Sequence, residues 1–489
     1  GTVSGTQIVK DIFPGLSSSA PGSLSEVGSL LYFSANNGSN GSELWRSDGT
    51  AGGTYLVKNI HPVTGSDPVY IRDIGGGAFL FSADDGFNGR QVWISNGSGS
   101  GTQLLKLINT GTKHGDPGYF SSNGTVLLFR ASNGVTGLEI YRSDGSSAGT
   151  NMIKDIFVGS SPSDPELITW IGSTAYFAAD DGIHGEELWR SDGTTTGTQM
   201  VLDINPGTLG SNIYEMIAMG PLVFFVATNG THGYELWKSD GTVSGTIMVR
   251  DILTGSLPSQ PHGFCVSNGK LFFKANDGIN GTELWKSDGT TPGTSLVQDI
   301  YSGAPSSYPD YLTDVNGTLF FTANDGIKGV ELFKSDGTSF GTVQVSDIRV
   351  GVSSSTPSYL TAAGNVLYFS ADDGNYGREL WRSDGTPSGT VMVYDINPGV
   401  SGSGPFYLCY VKNGQLLFSA NDNANGNELW RTDGTASGTS LVVDAEPGLA
   451  SSNPTGVVAI DSTAYYRATT TANGTELWKS DGTALGTLL

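Results

Sequence analysis

One segment, ELWRSDGTPSGT at Glu379–Thr390, recurs in similar form along the whole chain. The Asp of each copy, replaced by Asn in one copy, marks the period: Asp48, Asn96, Asp144, Asp192, Asp240, Asp288, Asp336, Asp384, Asp433 and Asp481. Successive markers are 48 residues apart, except for one step of 49 between Asp384 and Asp433. A period of this length is typical of propellers, solenoids and other repeat arrays. The ten copies in 489 residues therefore constrain the fold more than any other feature.

Each repeat has the pattern of four short β-strands. In one copy, β-branched and aromatic residues predict strands at Tyr359–Ala362, Val366–Ala371, Arg378–Ser383 and Thr390–Ile396. Segments rich in Gly, Asp and Asn predict tight turns between them. A longer polar linker then leads to the next copy, and no segment shows helical periodicity with caps.

Four antiparallel strands at this period predict a β-propeller blade. The chain opens with a fourth strand, Gln7–Ile12, and closes with a third strand, Thr475–Ser480. The N-terminal strand is therefore expected to complete the last blade, which removes an open sheet edge. We predict an all-β fold, a single ten-bladed ring forming one domain over residues 1–489. Two five-bladed propellers or an open array are the alternatives.

The repeated segment resembles ELWxxDGTxxGT, the signature of a repeat found in secreted and cell-surface bacterial proteins. The resemblance covers nearly the whole chain, and the copies depart from it at Gln91–Ser98, at Ile140 and Tyr141, and at Phe333. It implies a surface or adhesin-like protein and names no ligand. The first residue is Gly1 rather than Met, which indicates a processed product or a fragment.

The composition of the chain limits the classes of partner that it is expected to bind. The formal net charge of −22 argues against binding to nucleic acid or anionic membranes, and it permits cations. No apolar run is long enough to span a membrane. Abundant Gly, Ser, Thr and Asn with few Lys residues points to an extracellular or cell-surface location.

The two cysteines, Cys265 and Cys409, lie three repeats apart in comparable positions. Equivalent positions three blades apart are too distant for a disulfide, whose Cα atoms lie within about 7 Å. We therefore predict two free, buried thiols.

Two positions of the repeat hold nearly constant residue types. An aromatic residue fills one of them in every copy, which predicts packing between blades rather than a set of ligand-stacking sites: Trp45, Trp93, Tyr141, Trp189, Trp237, Trp285, Phe333, Trp381, Trp430 and Trp478. The residue two positions earlier is Glu in nine copies and Gln91 in the other. A carboxylate that tolerates replacement by an amide is expected to accept backbone N–H bonds rather than to ligate a metal.

The turn between the second and third strands is rich in carboxylates. Ca²⁺ takes 6–8 oxygen ligands, and carboxylates can supply them. The turn therefore provides weak candidates for a calcium site, and no other cofactor is predicted. The candidates are Asp85, Asp181, Asp277, Asp325, Asp373 and Asp422. The spacing matches no established calcium loop, and turn solvation is the favoured interpretation.

Asn-Gly-Ser/Thr sequons form a second candidate set, at Asn37, Asn40, Asn96, Asn123, Asn229, Asn280, Asn316 and Asn473. They would be glycosylation sites in a eukaryotic secreted protein. Because Asn-Gly is also the turn dipeptide that this fold requires, most of them can arise without glycosylation.

No acid–base cluster breaks the repeat pattern, so no catalytic residue is predicted. The leading hypothesis is a non-enzymatic extracellular scaffold or adhesion module that binds glycans or surface proteins through inter-blade loops. A second hypothesis is a structural subunit that binds copies of itself in a filament, since residues 482–489 overlap residues 1–6 in repeat register. A third is an enzyme with a site in the central channel.

Overall fold

The computed structural model describes residues 6–110, 114–412 and 414–482. All regular secondary structure in that part of the chain is β-strand, arranged as ten four-stranded antiparallel sheets. Nine sheets use four consecutive strands in chain order, and the tenth combines the last three strands with the first. The fold is therefore all-β with ten four-stranded propeller blades, as the repeat predicts. No helix long and apolar enough to cross a membrane occurs among the described residues.

The blades fall into two compact units of five. The N-terminal unit comprises residues 12–14 and 19–258, and the C-terminal unit comprises the described residues of 1–11, 15–18 and 259–489. Blades 1–5, in the N-terminal unit, consist of β2 Gly22–Val27, β3 Leu30–Asn36, β4 Ser42–Ser47 and β5 Tyr55–Lys58; β6 Val69–Gly75, β7 Ala78–Asp84, β8 Arg90–Ser95 and β9 Gln103–Lys106; β10 Gly118–Ser122, β11 Leu127–Ser132, β12 Leu138–Ser143 and β13 Asn151–Lys154; β14 Glu166–Ile171, β15 Thr174–Asp180, β16 Glu186–Ser191 and β17 Gln199–Leu202; β18 Tyr214–Met219, β19 Leu222–Thr228, β20 Tyr234–Ser239 and β21 Ile247–Arg250.

The C-terminal unit is built in the same way. Blades 6–10 consist of β22 His262–Ser267, β23 Lys270–Asn276, β24 Thr282–Ser287 and β25 Ser295–Gln298; β26 Asp310–Val315, β27 Thr318–Asn324, β28 Val330–Ser335 and β29 Val343–Gln344; β30 Ser358–Ala363, β31 Val366–Asp372, β32 Arg378–Ser383 and β33 Val391–Tyr394; β34 Phe406–Tyr410, β35 Leu416–Asn421, β36 Asn427–Thr432 and β37 Ser440–Val443; β38 Thr455–Ile460, β39 Thr463–Thr470 and β40 Gly474–Ser480 with β1 Thr6–Lys10.

The N-terminal strand completes blade 10, as predicted. Strand β1 pairs antiparallel with β40, which places Ile8 opposite Trp478. The hydroxyls of Thr6 and Ser480 hydrogen-bond at 2.5 Å at one end of the pair. Residues 2–5 of the opening repeat copy, and the overlap predicted for residues 483–489, lie outside the described residues.

The fourth strand of blade 8 is shorter than the sequence suggests. In blade 8 the predicted strand Thr390–Ile396 is observed as β33, Val391–Tyr394. The backbone turns away after Tyr394 because the amides of Ile396 and Asn397 donate to the side chain of Glu379 instead of to a strand. A buried side chain, invisible in the local pattern, therefore ends this strand.

The apolar core lies between neighbouring blades within each unit. Between blades 1 and 2, Tyr32 and Val57 pack with Phe79, Phe81 and Trp93. The second and third strands carry most of these side chains, because both faces of those strands are covered by adjacent blades. The outermost and innermost strands are more exposed and have room for other residues.

Both cysteines are free, as predicted, and they occupy β22 and β34. They are only partly buried, so the prediction of buried thiols is wrong in degree. The first strand of a blade is covered on fewer sides than the two central strands. Burial still raises the pKa of the thiols of Cys265 and Cys409.

Candidate functional site

The D-G-T-x-x-G-T part of the repeat is accounted for by its own turn. In blade 8, Asp384 Oδ1 accepts hydrogen bonds from Thr386 N at 2.8 Å and Thr386 Oγ1 at 2.7 Å. Thr386 Oγ1 in turn accepts from Gly389 N at 3.0 Å. A Cβ atom at Gly389 would lie 2.0 Å from Asp384 Oδ1, so glycine is required there. The most conspicuous residues of the repeat therefore build the turn, and their polar groups are hydrogen-bonded to one another within it.

The glutamates of the acidic position are fully buried in all nine blades that carry them. Glu379 Oε1 accepts from Asn397 N at 3.2 Å and Ser403 N at 2.8 Å. Its Oε2 accepts from Ile396 N at 3.3 Å and Ser403 Oγ at 2.5 Å. One carboxylate thus fixes the end of the fourth strand and the linker to the next blade. The residues accept backbone N–H bonds, as the sequence predicts.

The serine that completes this network is a partner that the sequence analysis missed. The serine hydroxyl donates to the glutamate in at least six blades: Ser66 to Glu43, Ser163 to Glu139, Ser307 to Glu283, Ser355 to Glu331, Ser403 to Glu379 and Ser452 to Glu428. In blade 2, where Gln91 replaces the glutamate, the residue at the serine position is Gly115. This paired replacement was visible in the sequence.

The Gln91 side chain binds the same backbone segment as the glutamates do, but it both accepts and donates hydrogen bonds. Its Oε1 accepts from Ile108 N at 3.0 Å and Asn109 N at 3.3 Å. Its Nε2 donates to the carbonyls of Asn88 at 2.8 Å and Asn109 at 3.0 Å. The amide is therefore satisfied without a serine hydroxyl, which explains why glycine is acceptable at position 115.

Burial gives these carboxyls an unusual pKa. Desolvation is the largest effect and raises the pKa to about 7 for Glu139, Glu187, Glu331, Glu379 and Glu428. The serine and backbone donors oppose this shift and do not cancel it. Glu43 and Glu283 also have raised pKa values for the same reason.

The aromatic position of each repeat faces a neighbouring blade. Trp93 lies in the cluster between blades 1 and 2, Trp237 in the cluster between blades 4 and 5, and Phe333 in the cluster between blades 6 and 7. Trp381 and Trp478 pack in the same way in the C-terminal unit. These positions contribute core rather than an exposed stacking surface.

The turn carboxylates proposed for calcium are engaged within their own turns. Asp277 Oδ1 accepts from Ile279 N at 2.9 Å and Asn280 N at 2.7 Å, and Oδ2 accepts from Asn280 Nδ2 at 2.7 Å. Asn133, at the same position in blade 3, accepts two amide hydrogens with its Oδ1. Among the described residues, no group of three or more His, Cys, Asp or Glu side chains is placed to hold a metal.

The sequons occupy turns between strands: Asn37, Asn40, Asn229, Asn280 and Asn473 lie in second turns, Asn123 and Asn316 in first turns, and Asn96 in a third turn. Asn96, Asn123 and Asn316 are exposed, whereas the other five asparagines are partly buried. Asn37 and Asn280 use their Nδ2 atoms in hydrogen bonds within the turn, and Asn473 Nδ2 donates to Asp11 at 2.9 Å. The structure thus gives these residues a turn role, and glycosylation stays a prediction.

One end of each blade is formed by the second turn and the linker, and we call it the loop end. Strand directions alternate, so the connection leaving the fourth strand emerges at the same end as the turn between strands two and three. The linker leaving blade 3 touches the second turn of blade 4, since a Cβ atom at Gly182 would lie 2.4 Å from the ring of Phe157.

Aliphatic and aromatic side chains protrude from the loop end. In the linkers Val158 is 82 % exposed, Leu209 81 % and Val350 85 %, and in the second turns Ile183 is 67 % exposed and Phe87 70 %. Among the described residues, the loop-end side chains exposed by 65 % or more are Val63, Phe87, Val135, Val158, Ile183, Leu209 and Leu257 in the N-terminal unit, and Leu16, Ile279, Tyr308, Ile327, Val350, Val352, Val400 and Leu449 in the C-terminal unit. The repeat places apolar groups in water at corresponding points of many blades.

No family model and no curated protein matches the sequence. Similar solved structures include the computationally designed Ika8 protein, at 15 % identity and a TM-score of 0.36 over 75 % of this chain and 98 % of that one. They also include a puromycin hydrolase, at 12 % identity and a TM-score of 0.33 over 86 % and 61 %, and a prolyl endopeptidase, at 14 % and 0.34 over 72 % and 53 %. The chain spans roughly half to three fifths of those two enzymes. At these similarities neither enzyme's activity is carried over to this chain.

Replacing Glu379 with Gln is expected to lower the free energy of unfolding by about 1–3 kcal/mol, because the amide NH₂ would face hydrogen-bond donors. Denaturant unfolding measures this loss. In the matched pair, Gln91→Glu is expected to destabilise blade 2, and adding Gly115→Ser to recover part of the loss. Equal stability of Glu379→Gln and the wild type would contradict the network.

The raised glutamate pKa values predict that the melting temperature falls by roughly 5 °C between pH 5 and pH 8. The folded state binds these protons more tightly than the unfolded chain. That stabilisation is complete below the ordinary value of 4.5 and is lost as the pH rises through about 7. Scanning calorimetry at high salt, which screens the surface charges, isolates the buried groups. A melting temperature that rises from pH 5 to pH 8 would contradict the desolvation argument.

Replacing Asp277 with Asn is expected to change the free energy of unfolding by less than about 0.5 kcal/mol, because Asn133 and Asn229 make the same bonds in their turns. Thermal melts with calcium and with a chelator complete the measurement. If calcium raises the melting temperature of the wild type and not of this variant, the turn is a calcium site after all.

Proposed function

We propose that this chain is a non-enzymatic extracellular binding module that acts in adhesion or as a scaffold. The observation that carries the proposal is the set of apolar side chains at the loop end, exposed by 65 % or more in consecutive blades. Single exposed apolar residues are ordinary, but their recurrence at one end of successive repeats is typical of interaction surfaces. The repeated signature residues have structural roles in the turns and in the core. This supports a binding role for the chain rather than a catalytic one.

The proposed partner is a protein at the cell surface. Protruding aliphatic side chains gain most by entering the apolar pockets of a protein surface. A net charge of −22 disfavours nucleic acid and anionic lipid. Glycans bound through the same loops, or further copies of this chain, are the other partners that the test distinguishes.

The four substitutions Val158→Ser, Ile183→Ser, Leu209→Ser and Leu257→Ser, made together, are expected to reduce binding of the labelled chain to intact cells at least about tenfold, because several anchors are lost at once. The control is Val243→Ser with Phe340→Ser, which removes exposed apolar groups from third turns, at the opposite end of the blades. Flow cytometry measures the retained protein.

The outcomes separate the partner classes. Retention lost after protease treatment of the cells indicates a protein, and retention lost after glycosidase treatment indicates a glycan. A molar mass that rises with concentration in light scattering, only when the loop end is intact, indicates self-association. Equal retention of the two variants would contradict a binding role for the loop end, and a catalytic turnover abolished by one substitution would contradict the non-enzymatic assignment.

A further inference from the structure

The second residue of every first strand lies in a β-bulge with a left-handed backbone. The φ angles of these ten residues fall between +51° and +74°. Five are tyrosines, and the full set is Ser23, Tyr70, Tyr119, Leu167, Glu215, Gly263, Tyr311, Tyr359, Tyr407 and Gly456. Large side chains rarely adopt this conformation, whereas glycine adopts it freely.

The tyrosines are not explained by the fold. Gly263 and Gly456 form the same bulge, so glycine suffices for the backbone. The core does not need the rings either, since Tyr311 is 48 % exposed and Tyr359 49 %. An unfavourable conformation kept by an exposed aromatic residue points to a role in binding.

One tyrosine-lined cleft lies between blades 7 and 8. It has a volume of about 330 Å³, and its lining includes Tyr308, Tyr311, Asp310 and Arg378. Tyr308 also has a left-handed backbone, with φ of +48°, and is 68 % exposed. Two exposed aromatic rings thus flank one carboxylate and one guanidinium. The volume lies within the range of small-ligand sites.

The charged groups of this cleft are held in place by the protein. Arg378 donates through Nη1 to the carbonyls of Thr356 at 3.0 Å and Ser370 at 3.2 Å. Asp310 pairs with Lys274 at 3.3 Å. The cleft therefore presents one carboxylate and one guanidinium as oriented hydrogen-bonding groups.

A second tyrosine-lined cleft, which has no carboxylate in its lining, crosses the first strands of the N-terminal unit. It has a volume of about 440 Å³, and Tyr70, Tyr119 and Arg72 are among its lining residues, together with Ser121 and Thr169. The guanidinium of Arg130 lies 4.2 Å from the centre of the Tyr119 ring and holds it from one side. The combination of exposed tyrosine, arginine and hydroxyl groups therefore occurs in both units.

We propose that the tyrosine clefts bind neutral carbohydrate. A tyrosine ring offers an apolar face against which the C–H face of a pyranose can pack. Around the ring, Asp310 accepts hydrogen bonds from sugar hydroxyls and Arg378 donates hydrogen bonds to them. The neighbouring protein hydroxyls can do both. The overall charge of −22 selects against anionic sugars. The clefts contain none of the four aliphatic side chains that are replaced in the loop-end variant, so the two proposals are tested on different residues.

The test compares the wild type with a variant in which Tyr70, Tyr119, Tyr311, Tyr359 and Tyr407 are all replaced by Gly. The probes are neutral β-1,4-linked oligosaccharides of glucose, mannose, galactose and N-acetylglucosamine, titrated into the full chain by calorimetry. We expect the wild type to bind at least one probe and the variant to bind it at least about tenfold more weakly. We expect the melting temperature of Tyr311→Gly to equal or exceed that of the wild type, because glycine relieves the left-handed backbone.

Two controls make the result specific. Tyr394→Ala removes a tyrosine of similar exposure from the fourth strand of blade 8 and should leave sugar binding unchanged. The loop-end variant should also bind sugar normally, so this proposal and the proposed function fail separately. The proposal is overturned if no probe binds the wild type or if the tyrosine-to-glycine variant binds as tightly. A lower melting temperature of Tyr311→Gly would overturn it by showing that the tyrosine has a structural role.

Discussion

The buried glutamate of the third strand is the interaction on which each blade depends. It is the one charged group that is completely removed from water in nearly every repeat, and its oxygens accept hydrogen bonds from segments that are not strands. Burying a carboxyl without partners is very unfavourable, so the linker must follow a path that supplies donors. A short polar linker, which has no sheet pairing of its own, acquires a fixed path in this way.

The apolar core alone would not produce this order. Phenylalanine and tryptophan side chains between blades drive the sheets together, but apolar packing has little directional preference. The hydrogen bonds of the glutamate are directional, and they specify where the fourth strand ends and where the next blade begins. In blade 2, where Gln91 and Gly115 replace Glu and Ser, the donors and acceptors of the network differ together.

Much of the architecture can be predicted from the sequence, because ten copies of one pattern show which residues of the repeat form strands and which form turns. The strand boundaries in Arg378–Ser383 and the pairing of the N-terminal strand with blade 10 needed only the period and the turn residues. The end of the fourth strand was missed, because it is set by a side chain 17 residues away. The bulge tyrosines were also missed, because a tyrosine in a strand pattern predicts ordinary extended backbone. Local pattern thus predicts what is repeated and fails where a distant contact or an unfavourable conformation decides.

The division between repeated and variable positions also separates structure from proposed function. Residues that recur in every blade are found in turns, in the buried network and between sheets. The loop-end side chains and the residues of the bulge vary from blade to blade while their backbone positions stay constant. Variable side chains on a fixed scaffold are the usual arrangement in binding proteins, where the scaffold supplies position and the variable residues supply recognition.

Amide hydrogen exchange of the linkers tests the central claim most directly. If buried glutamates hold the linkers, the amides of Ile396 and Ser403 should exchange as slowly as amides within the central strands of blade 8. The amide of Asn375, an exposed turn residue that donates to Asp373, should exchange much faster. Equally fast exchange at all three positions would show that the linkers open independently of the blades, and would contradict the account.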